Sequence, residues 1–237
     1  MGKAEESKPE AAKKRWSRVK RYIEKETGPE KIELGTYFAF NLWNTPRHVL
    51  FVLSRYKFSA KLIGETPKRN VLELGCSEGL GALILGESGH QVTGVDFDEE
   101  AIEWAKANLE KKGNLSFICD DFLGKTYGVF DAVVSLDTIE HIPAVQEQDY
   151  FGTLVGNLAT DGFCVVGTPN ITSAKYASKA TRMGHVNLYS AERLRDTAMT
   201  YFRNVFIFGM NDEIVHTGYY PMSQYLIMLG CGKKAGQ

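Results

Sequence analysis

The sequence predicts an α/β protein built on a mainly parallel sheet. Apolar runs of strand length alternate with longer segments whose apolar residues recur at helical spacing, which is typical of parallel strands joined by helices. Near the end of the chain, two further alternating runs predict an antiparallel hairpin. The predicted strands cover residues 71–74, 91–95, 115–119, 130–136 and 162–167, and the hairpin covers 204–208 and 223–229.

Composition limits the kinds of partner that we expect. The 237 residues suit one domain with additions. Because 28 basic residues nearly balance 29 acidic ones, no strong field favours nucleic acid. The four cysteines are far apart and lie in or beside apolar runs, so we expect reduced core residues. We see no signal segment and no run of about eighteen apolar residues, and we expect a cytoplasmic monomer or homodimer without membrane insertion.

The first part of the chain, residues 1–64, is expected to form a helical extension and cap before a main domain at 65–237. Its first helix is predicted by apolar residues at helical steps, namely Trp16, Val19, Tyr22 and Ile23. We expect this helix to pack on the domain, although a partner-binding or membrane-surface helix fits the same pattern. A second helix, from 46 to about 63, should lie over the ligand edge of the sheet.

The first predicted strand runs into a glycine-rich loop, Gly75-Cys76-Ser77-Glu78-Gly79-Leu80-Gly81. Glycine lets the backbone approach a bound molecule, because it has no Cβ and tolerates positive φ. The next strand ends at Asp96, twenty-one residues after Gly75, where a carboxylate can accept both hydroxyls of a ribose. The two features together predict a nucleoside ligand.

The residues around the glycines indicate which nucleoside. The dinucleotide fingerprint Gly-x-Gly-x-x-Gly is absent, because the spacing here is Gly75-x-x-x-Gly79-x-Gly81. The carboxylate of Glu73 would repel a pyrophosphate and suit a ligand that carries an ammonium and a sulfonium group, as S-adenosylmethionine (SAM) does. The stretch resembles the motif Glu/Asp-x-Gly-x-Gly-x-Gly of the class I SAM-dependent methyltransferases, with Ser77 in place of the middle glycine.

This resemblance implies a Rossmann-like, seven-stranded, mainly parallel sheet with an antiparallel C-terminal hairpin and N-terminal accessory helices. It also implies that an acid after the third strand accepts the adenine amine and that an apolar neighbour packs on the ring. The cofactor residues that we expect from it are Glu73, Gly75, Ser77, Gly79, Asp96, Phe97, Asp120, Asp121, Phe122 and Leu136. Asp120 is our first choice for the adenine amine, and the adjacent Asp121 stays open.

On the second predicted helix, Arg55 lies sixteen residues before Val71. This region resembles the ubiquinone-pathway O-methyltransferases, in which an arginine at a similar distance holds the carboxylate of the methionine part of SAM. A planar, permanently charged guanidinium suits that contact. The resemblance implies this role for Arg55, and Arg47 is the alternative.

The segment Asp137-Thr138-Ile139-Glu140-His141 follows the fourth strand and resembles the Glu-His segment of many small-molecule methyltransferases. Ligands sit beyond the carboxyl ends of parallel strands, so His141 is expected beside the reacting methyl group. The ordinary pKa of histidine suits a general base for a hydroxyl acceptor, and packing, with the ring hydrogen-bonded to backbone beneath the site, is the competing account.

A later stretch, about 170–189, is expected to be a lid insertion over the acceptor. The family often places a histidine and an aromatic residue just before the next helix, which implies His185 as a second candidate base and Tyr189 as an acceptor contact. We also expect Tyr37 and Trp43, from the aromatic cluster before the second helix, to contact the acceptor.

Two further features concern the chemistry. Asp137 ends the fourth strand, but the fifth ends in Pro169-Asn170 without a second acid, so we expect no catalytic metal. No Asn/Asp-Pro-Pro-Tyr segment, common in amine methylation, follows the fourth strand. We therefore expect methyl transfer to a hydroxyl oxygen of a small molecule. Alternatives are carboxyl methylation of a peptide or small acid, N-methylation, a SAM-binding module without catalysis, and a nucleotide-sugar or NAD enzyme.

Overall fold

A computed structural model describes residues 8–27 and 33–234 and divides the chain into two compact units, Met1–Leu34 and Gly35–Gln237. In the first unit, helix α1 spans Lys8–Thr27. The four residues of its apolar stripe are exposed: Trp16, Val19, Tyr22 and Ile23. Of the helices that are described, none combines the length and the apolar character needed to cross a bilayer.

The second unit contains the sheet and the helices that flank it. Its helices are α2 (Thr36–Asn44), α3 (Pro46–Ile63), α4 (Leu80–Leu85), α5 (Glu99–Leu109), α6 (Glu147–Gly156), α7 (Lys179–Gly184) and α8 (Ala191–Ala198). Its strands are β1 (Asn70–Leu74), β2 (Gln91–Asp96), β3 (Leu115–Cys119), β4 (Phe130–Leu136), β5 (Leu158–Pro169), β6 (Phe202–Asn211), β7 (Ile214–His216) and β8 (Tyr225–Lys233). The α/β class predicted from the alternation of strands and helices is confirmed.

The strands form one sheet in the order β3-β2-β1-β4-β5-β8-β6-β7. The first five are parallel, and β8 runs antiparallel between β5 and β6. The sheet therefore has eight strands in the described chain where the sequence predicted seven. The additional strand arises because β6 continues to Asn211, the backbone turns at Asp212 with φ 50°, and β7 pairs back on β6 within the segment expected to be a loop.

Alternate residues of the strands feed two apolar cores, one on each face of the sheet. One core packs against α6 and α8, and the other packs against α3, α4 and α5. Helix α3 buries Tyr56 and Ile63 in the second core, so the second unit begins at Gly35 and includes residues that we had assigned to the N-terminal extension. The carboxyl ends of β1, β2, β4 and β5 meet at one edge, which carries the candidate site.

Candidate active site

A cavity of about 740 Å³ opens at the carboxyl end of the parallel strands. The glycine loop forms one part of its wall through Gly75, Cys76 and Ser77. His141 and His185 line another part of the same cavity. A volume in this range suits a cofactor-sized ligand together with a small second molecule. The cavity therefore joins the predicted cofactor loop to both candidate bases.

The shape of the glycine loop depends on positive φ angles and on close packing against neighbouring side chains. Gly75, Ser77 and Gly79 all have positive φ, at 79°, 46° and 76°. A Cβ on Gly75 would collide with Thr138, and one on Gly79 would collide with Phe117. Glycine is thus required here by neighbouring protein atoms as well as by φ, whereas Ser77 adopts the left-handed region at the position where the family motif has glycine.

Glu73 lies beneath the loop rather than on the cavity wall. It is 1% exposed, packs where a Cβ on Gly81 would sit, and neither carboxylate oxygen forms a hydrogen bond. Burial raises the pKa of Glu73 to about 8, against the opposing effect of the adjacent Tyr56 hydroxyl. Because the cavity lining does not include Glu73, a direct contact with a ligand ammonium stays a prediction.

Asp96 is held firmly at the end of β2. One carboxylate oxygen accepts from the Ser77 amide at 2.8 Å, and the other accepts from the Asp98 amide at 3.0 Å. Each oxygen keeps a further lone pair for a ligand hydroxyl. Phe97, the next residue, is 77% exposed. The geometry is compatible with ribose binding by Asp96 and with an apolar contact from Phe97.

The acids after β3 differ in their surroundings. Asp120 pairs with Lys125 and accepts from the Tyr127 hydroxyl at 2.9 Å. The bond from Lys125 and then the bond from Tyr127 lower the pKa of Asp120. Asp121 is exposed and accepts only a local bond, from the Leu123 amide at 3.3 Å, among the bonds of the described chain. Asp121 is therefore the acid with more capacity for a new partner.

The two apolar residues predicted to contact the cofactor lie in different places. Leu136 lines the cavity at the end of β4. Phe122 is 5% exposed and packs edge-on against Tyr150, at 6.2 Å between ring centroids, inside the core on the α6 side. Phe122 therefore supports the loop after β3 from below, and we leave it out of the proposed ligand contacts.

Arg55 reaches the cavity from α3. One guanidinium nitrogen lies 2.7 Å from both carboxylate oxygens of Asp137, and the group stacks over the Tyr225 ring at 3.8 Å from its centroid. The Nε of Arg55 is buried and has no hydrogen-bond partner. Arg47, the alternative arginine, is exposed and is not part of the cavity lining.

His141 and His185 are in contact. They come from distant parts of the chain, since Gly184, the neighbour of His185, is 43 positions after His141. Their rings are perpendicular, with centroids 4.9 Å apart. His141 Nδ1 lies 3.0 Å from the carbonyl of Gly184, which can only accept, so Nδ1 donates and Nε2 is left as a base or a ligand. Burial, and then the charge of His141, lower the pKa of His185.

Glu140 adds a third group to this pair. It is 1% exposed, accepts from the Thr168 hydroxyl at 3.1 Å, and has a pKa raised to about 8 by burial and then by Asp137. Its backbone carbonyl accepts from the amides of Val186 and Asn187, which anchors the predicted lid insertion. Potential ligand atoms of Glu140, His141 and His185 all lie within 4.8 Å of one another, so the three side chains can share a metal ion.

This cluster was not predicted, because the second acid expected for a metal site would follow β5 and the residues there are Pro169 and Asn170. The Glu140-His141 dipeptide was visible, but the distance to His185 depends on how residues 170–189 fold back. Other cavity residues were also missed, and two of them are polar residues near the start of the second unit. Asn41 lies one turn after Tyr37 on α2, and His48 lies in the first turn of α3.

The predicted aromatic acceptor contacts do not converge on the cavity. Tyr189 is fully buried, and its hydroxyl bonds Glu147 and accepts from Asn187 at 3.1 Å. We therefore leave Tyr189 out of the proposed acceptor contacts. Tyr37 and Trp43 are 54% and 87% exposed on α2, and neither lines the cavity.

Comparisons with known proteins agree with this geometry. Residues 71–162 match the family model described as a methyltransferase domain. A ubiquinone biosynthesis O-methyltransferase from Rickettsia felis is 31% identical over 113 residues, 46% of this chain and 45% of that protein. One from Coxiella burnetii is 36% identical over 81 residues, 33% of this chain and 35% of that protein. The chain spans less than half the length of these curated relatives.

Solved structures share the fold. The N-methyltransferase NodS from Bradyrhizobium japonicum, in complex with S-adenosylhomocysteine, aligns with a TM-score of 0.61 at 19% identity, covering 81% of this chain and 90% of that one. A TehB-like SAM-dependent methyltransferase from Corynebacterium glutamicum aligns with a TM-score of 0.59 at 14% identity, covering 92% and 97%. Over residues 71–162 the chain matches a methyltransferase domain. This match, the curated relatives and the solved structures together support the predicted family, the class I SAM-dependent methyltransferases, and the predicted fold is confirmed.

Proposed function

We propose that this domain binds SAM and transfers its methyl group to a hydroxyl oxygen of a small molecule. One observation carries the proposal: a single cavity joins the glycine loop to the His141–His185 pair. Methyl transfer needs a cofactor and an acceptor in one water-poor space, aligned along the line of attack. When bound, SAM supplies an activated methyl group on its sulfonium.

The residues present fit the methionine and ribose parts of SAM. Arg55 lines the cavity with a buried guanidinium whose Nε has no hydrogen-bond partner, and a guanidinium suits a carboxylate. Asp96 keeps free lone pairs beside the loop, which suit ribose hydroxyls. Asp120 or Asp121 would bind the adenine amine, and the exposed Phe97 would pack on the ring.

Proton removal from the acceptor falls to His141 in this proposal, with His185 as the alternative. A hydroxyl must lose its proton as it attacks, and a base within hydrogen-bond reach helps it do so. The bond from Nδ1 to the Gly184 carbonyl keeps Nε2 of His141 unprotonated when the ring is neutral. The names of the curated relatives, ubiquinone biosynthesis O-methyltransferases, also support an oxygen acceptor.

A second route to an oxygen acceptor is favoured by one observation, the convergence of Glu140, His141 and His185. A divalent cation held there would lower the pKa of an acceptor hydroxyl directly. His141 would then be a ligand rather than the base, and the proton of the acidified hydroxyl would leave to solvent. This route replaces our expectation of a metal-free reaction only if the cluster binds a cation.

Two measurements test the proposed function. Calorimetry with SAM, S-adenosylhomocysteine and NAD should show binding of the first two, and binding of NAD alone would reject the proposal. Transfer of label from methyl-labelled SAM to a fraction of small molecules from cell extract should then separate an enzyme from a SAM-binding module without catalysis. The cytoplasmic location and the monomeric or homodimeric state stay predictions.

A further inference from the structure

Helix α2 has little packing of its own. It has nine residues, none of which is buried, and its N-cap residue, Gly35, provides no side-chain cap. Large apolar residues on it point to solvent, including Phe40 at 63% and Trp43 at 87% exposure. A helix this short is marginal without outside support. Something other than apolar burial must hold α2 in place.

That support comes from Glu78, inside the glycine loop. Its carboxylate accepts from the amide of Tyr37 at 2.8 Å and from the amide of Phe38 at 3.0 Å, across 41 and 40 residues of chain. Glu78 is only 6% exposed, and a Cβ on Gly35 would collide with its carboxylate. The side chain thus caps α2 from another element, satisfying two amides that a helix start leaves unpaired.

A second tether holds the same helix. The Tyr37 hydroxyl donates to Asp98 at 3.0 Å. Both tethers end beside the two amides that fix Asp96: Glu78 follows Ser77 directly, and Asp98 is itself the other donor. The position of α2 and the orientation of the predicted ribose acid are therefore joined through a few hydrogen bonds.

Helix α2 also reaches the cavity. Asn41, one turn after Tyr37, is part of its wall, and the chain continues directly into α3, which contributes His48 and Arg55. A helix that is weakly packed, tethered to the cofactor loop and in contact with the cavity has the properties of a strap that closes over a ligand.

We propose that α2 is a strap over the cofactor end of the cavity and that Glu78 is the positioning residue that holds it closed. This inference rests on the proposed binding of SAM. Glu78 is not among the residues that line the cavity, and it acts through α2. Because coupling between two binding events is reciprocal, a docked strap retains the cofactor and a bound cofactor protects the strap.

The test compares Glu78→Ala, Glu78→Gln and the wild type with S-adenosylhomocysteine as the ligand. Glu78→Ala leaves two amides without partners and should weaken binding about 10-fold, mainly through faster dissociation. Glu78→Gln keeps one acceptor oxygen and should lose less. Glu87→Gln is the matched control, since Glu87 is exposed and just past α4, and it should bind like the wild type.

Hydrogen exchange supplies a readout that needs no turnover. In the ligand-free protein, Glu78→Ala should speed exchange at the amides of Tyr37 and Phe38 by about 10-fold, and added S-adenosylhomocysteine should slow exchange over 36–44 in the wild type. With substrate, the KM for SAM should rise while kcat stays near the wild-type value. Unchanged thermal unfolding of the second unit would separate this effect from misfolding.

Tyr37→Phe releases the strap from its other tether and leaves the glycine loop intact, so it covers the case in which Glu78→Ala fails to fold. It should weaken binding in the same direction. The double variant should lose less binding affinity than the sum of the two single losses, because both substitutions release the same helix.

The inference is overturned if the wild type binds S-adenosylhomocysteine and every folded variant binds and releases it equally well. It is also overturned if the ligand leaves exchange over 36–44 unchanged. Absence of wild-type binding would instead reject the proposed function, and the strap with it.

Discussion

Arg55 and Asp137 form an ion pair in the wall of the cavity, with Arg55 Nη1 2.7 Å from both carboxylate oxygens of Asp137. Asp137 has a φ of 54°, a conformation that costs energy in any residue other than glycine and that the surrounding structure must maintain. The pair leaves Arg55 Nε without a partner. A ligand carboxylate would therefore meet a guanidinium that is already fixed in place.

The first prediction follows from this fixed guanidinium. Arg55→Ala should weaken SAM roughly 10-fold or more, and should weaken 5′-methylthioadenosine less, because the latter lacks the carboxylate. Calorimetry with both ligands measures the difference. Arg47→Ala is the control, since Arg47 is exposed and outside the cavity lining. Equal losses for the two ligands would remove Arg55 from the methionine subsite.

The second prediction concerns Asp96. Asp96→Ala should cost roughly 1.5–3 kcal/mol of SAM affinity, as expected when a charged hydrogen-bond acceptor is lost. Asp96→Asn keeps one acceptor oxygen for the Ser77 and Asp98 amides and should lose less. Asp196→Ala, at a side chain that is 68% exposed on α8, should bind like the wild type. A folded Asp96→Ala protein with an unchanged dissociation constant would contradict the ribose contact.

Spacing within the chain was enough to predict the glycine loop, the place of Asp96 at the end of β2 and the positions of the strands along the chain up to β5. Each of these features is defined by residues that lie close together in the chain, so the sequence alone indicates it. Contacts between residues that are far apart in the chain could not be predicted in the same way. Glu78 reaches α2, and His185 reaches His141, only because the chain folds back over 40 or more residues.

Burial was the other property that the sequence could not give. Tyr189 precedes a helix in a segment expected to face the acceptor, yet it is fully buried against Glu147 and Asn187. Phe122 follows the acids of β3 but belongs to the core. An aromatic residue next to a ligand edge packs well in either direction, and only the surrounding elements decide which direction it takes.

The third prediction concerns stability and pH in the ligand-free protein. The folded-state pKa of Glu73 is about 8, raised from 4.5. Between those values the folded protein keeps a proton that the unfolded chain releases, so the contribution of Glu73 to stability falls as pH rises through this window. Glu73→Gln should therefore raise Tm over the wild type at pH 8, by roughly 4 °C or more, and much less at pH 5. Glu87→Gln should give the same difference at both values.

The fourth prediction concerns the acceptor oxygen. Methylation of a hydroxyl gives an ether, which resists mild alkali. Methylation of a carboxylate gives an ester, which releases methanol in mild alkali. Turnover on a hydroxyl should fall as pH drops through the pKa of the base, because a protonated imidazole cannot take a proton. If His185 is the base, that fall lies below pH 6.5, since burial lowers its pKa from that value. Methanol release from purified product would reverse the choice of acceptor.

The last prediction separates a histidine base from a bound cation. Both routes expect His141→Ala to lower kcat by roughly 10²-fold, so that variant cannot distinguish them. Glu140→Gln can. Glutamine keeps an acceptor for the Thr168 hydroxyl, which lies 3.1 Å from the Glu140 carboxylate, but it is a much weaker metal ligand. Turnover should survive this substitution if His141 is a base and should fall with that of His141→Ala if a cation is held.

Chelation gives an independent reading of the same choice. If the cluster holds a cation, dialysis against a chelator should abolish turnover and one of Fe²⁺, Zn²⁺ or Mn²⁺ should restore it, because two imidazoles and a carboxylate can bind divalent first-row metals. S-adenosylhomocysteine binding should persist throughout, since Glu140, His141 and His185 are not among the residues proposed to hold the cofactor. Full turnover after chelation, together with an active Glu140→Gln protein, would leave the Nε2 of His141 as the proton acceptor and Glu140 as the anchor of the lid through its backbone carbonyl.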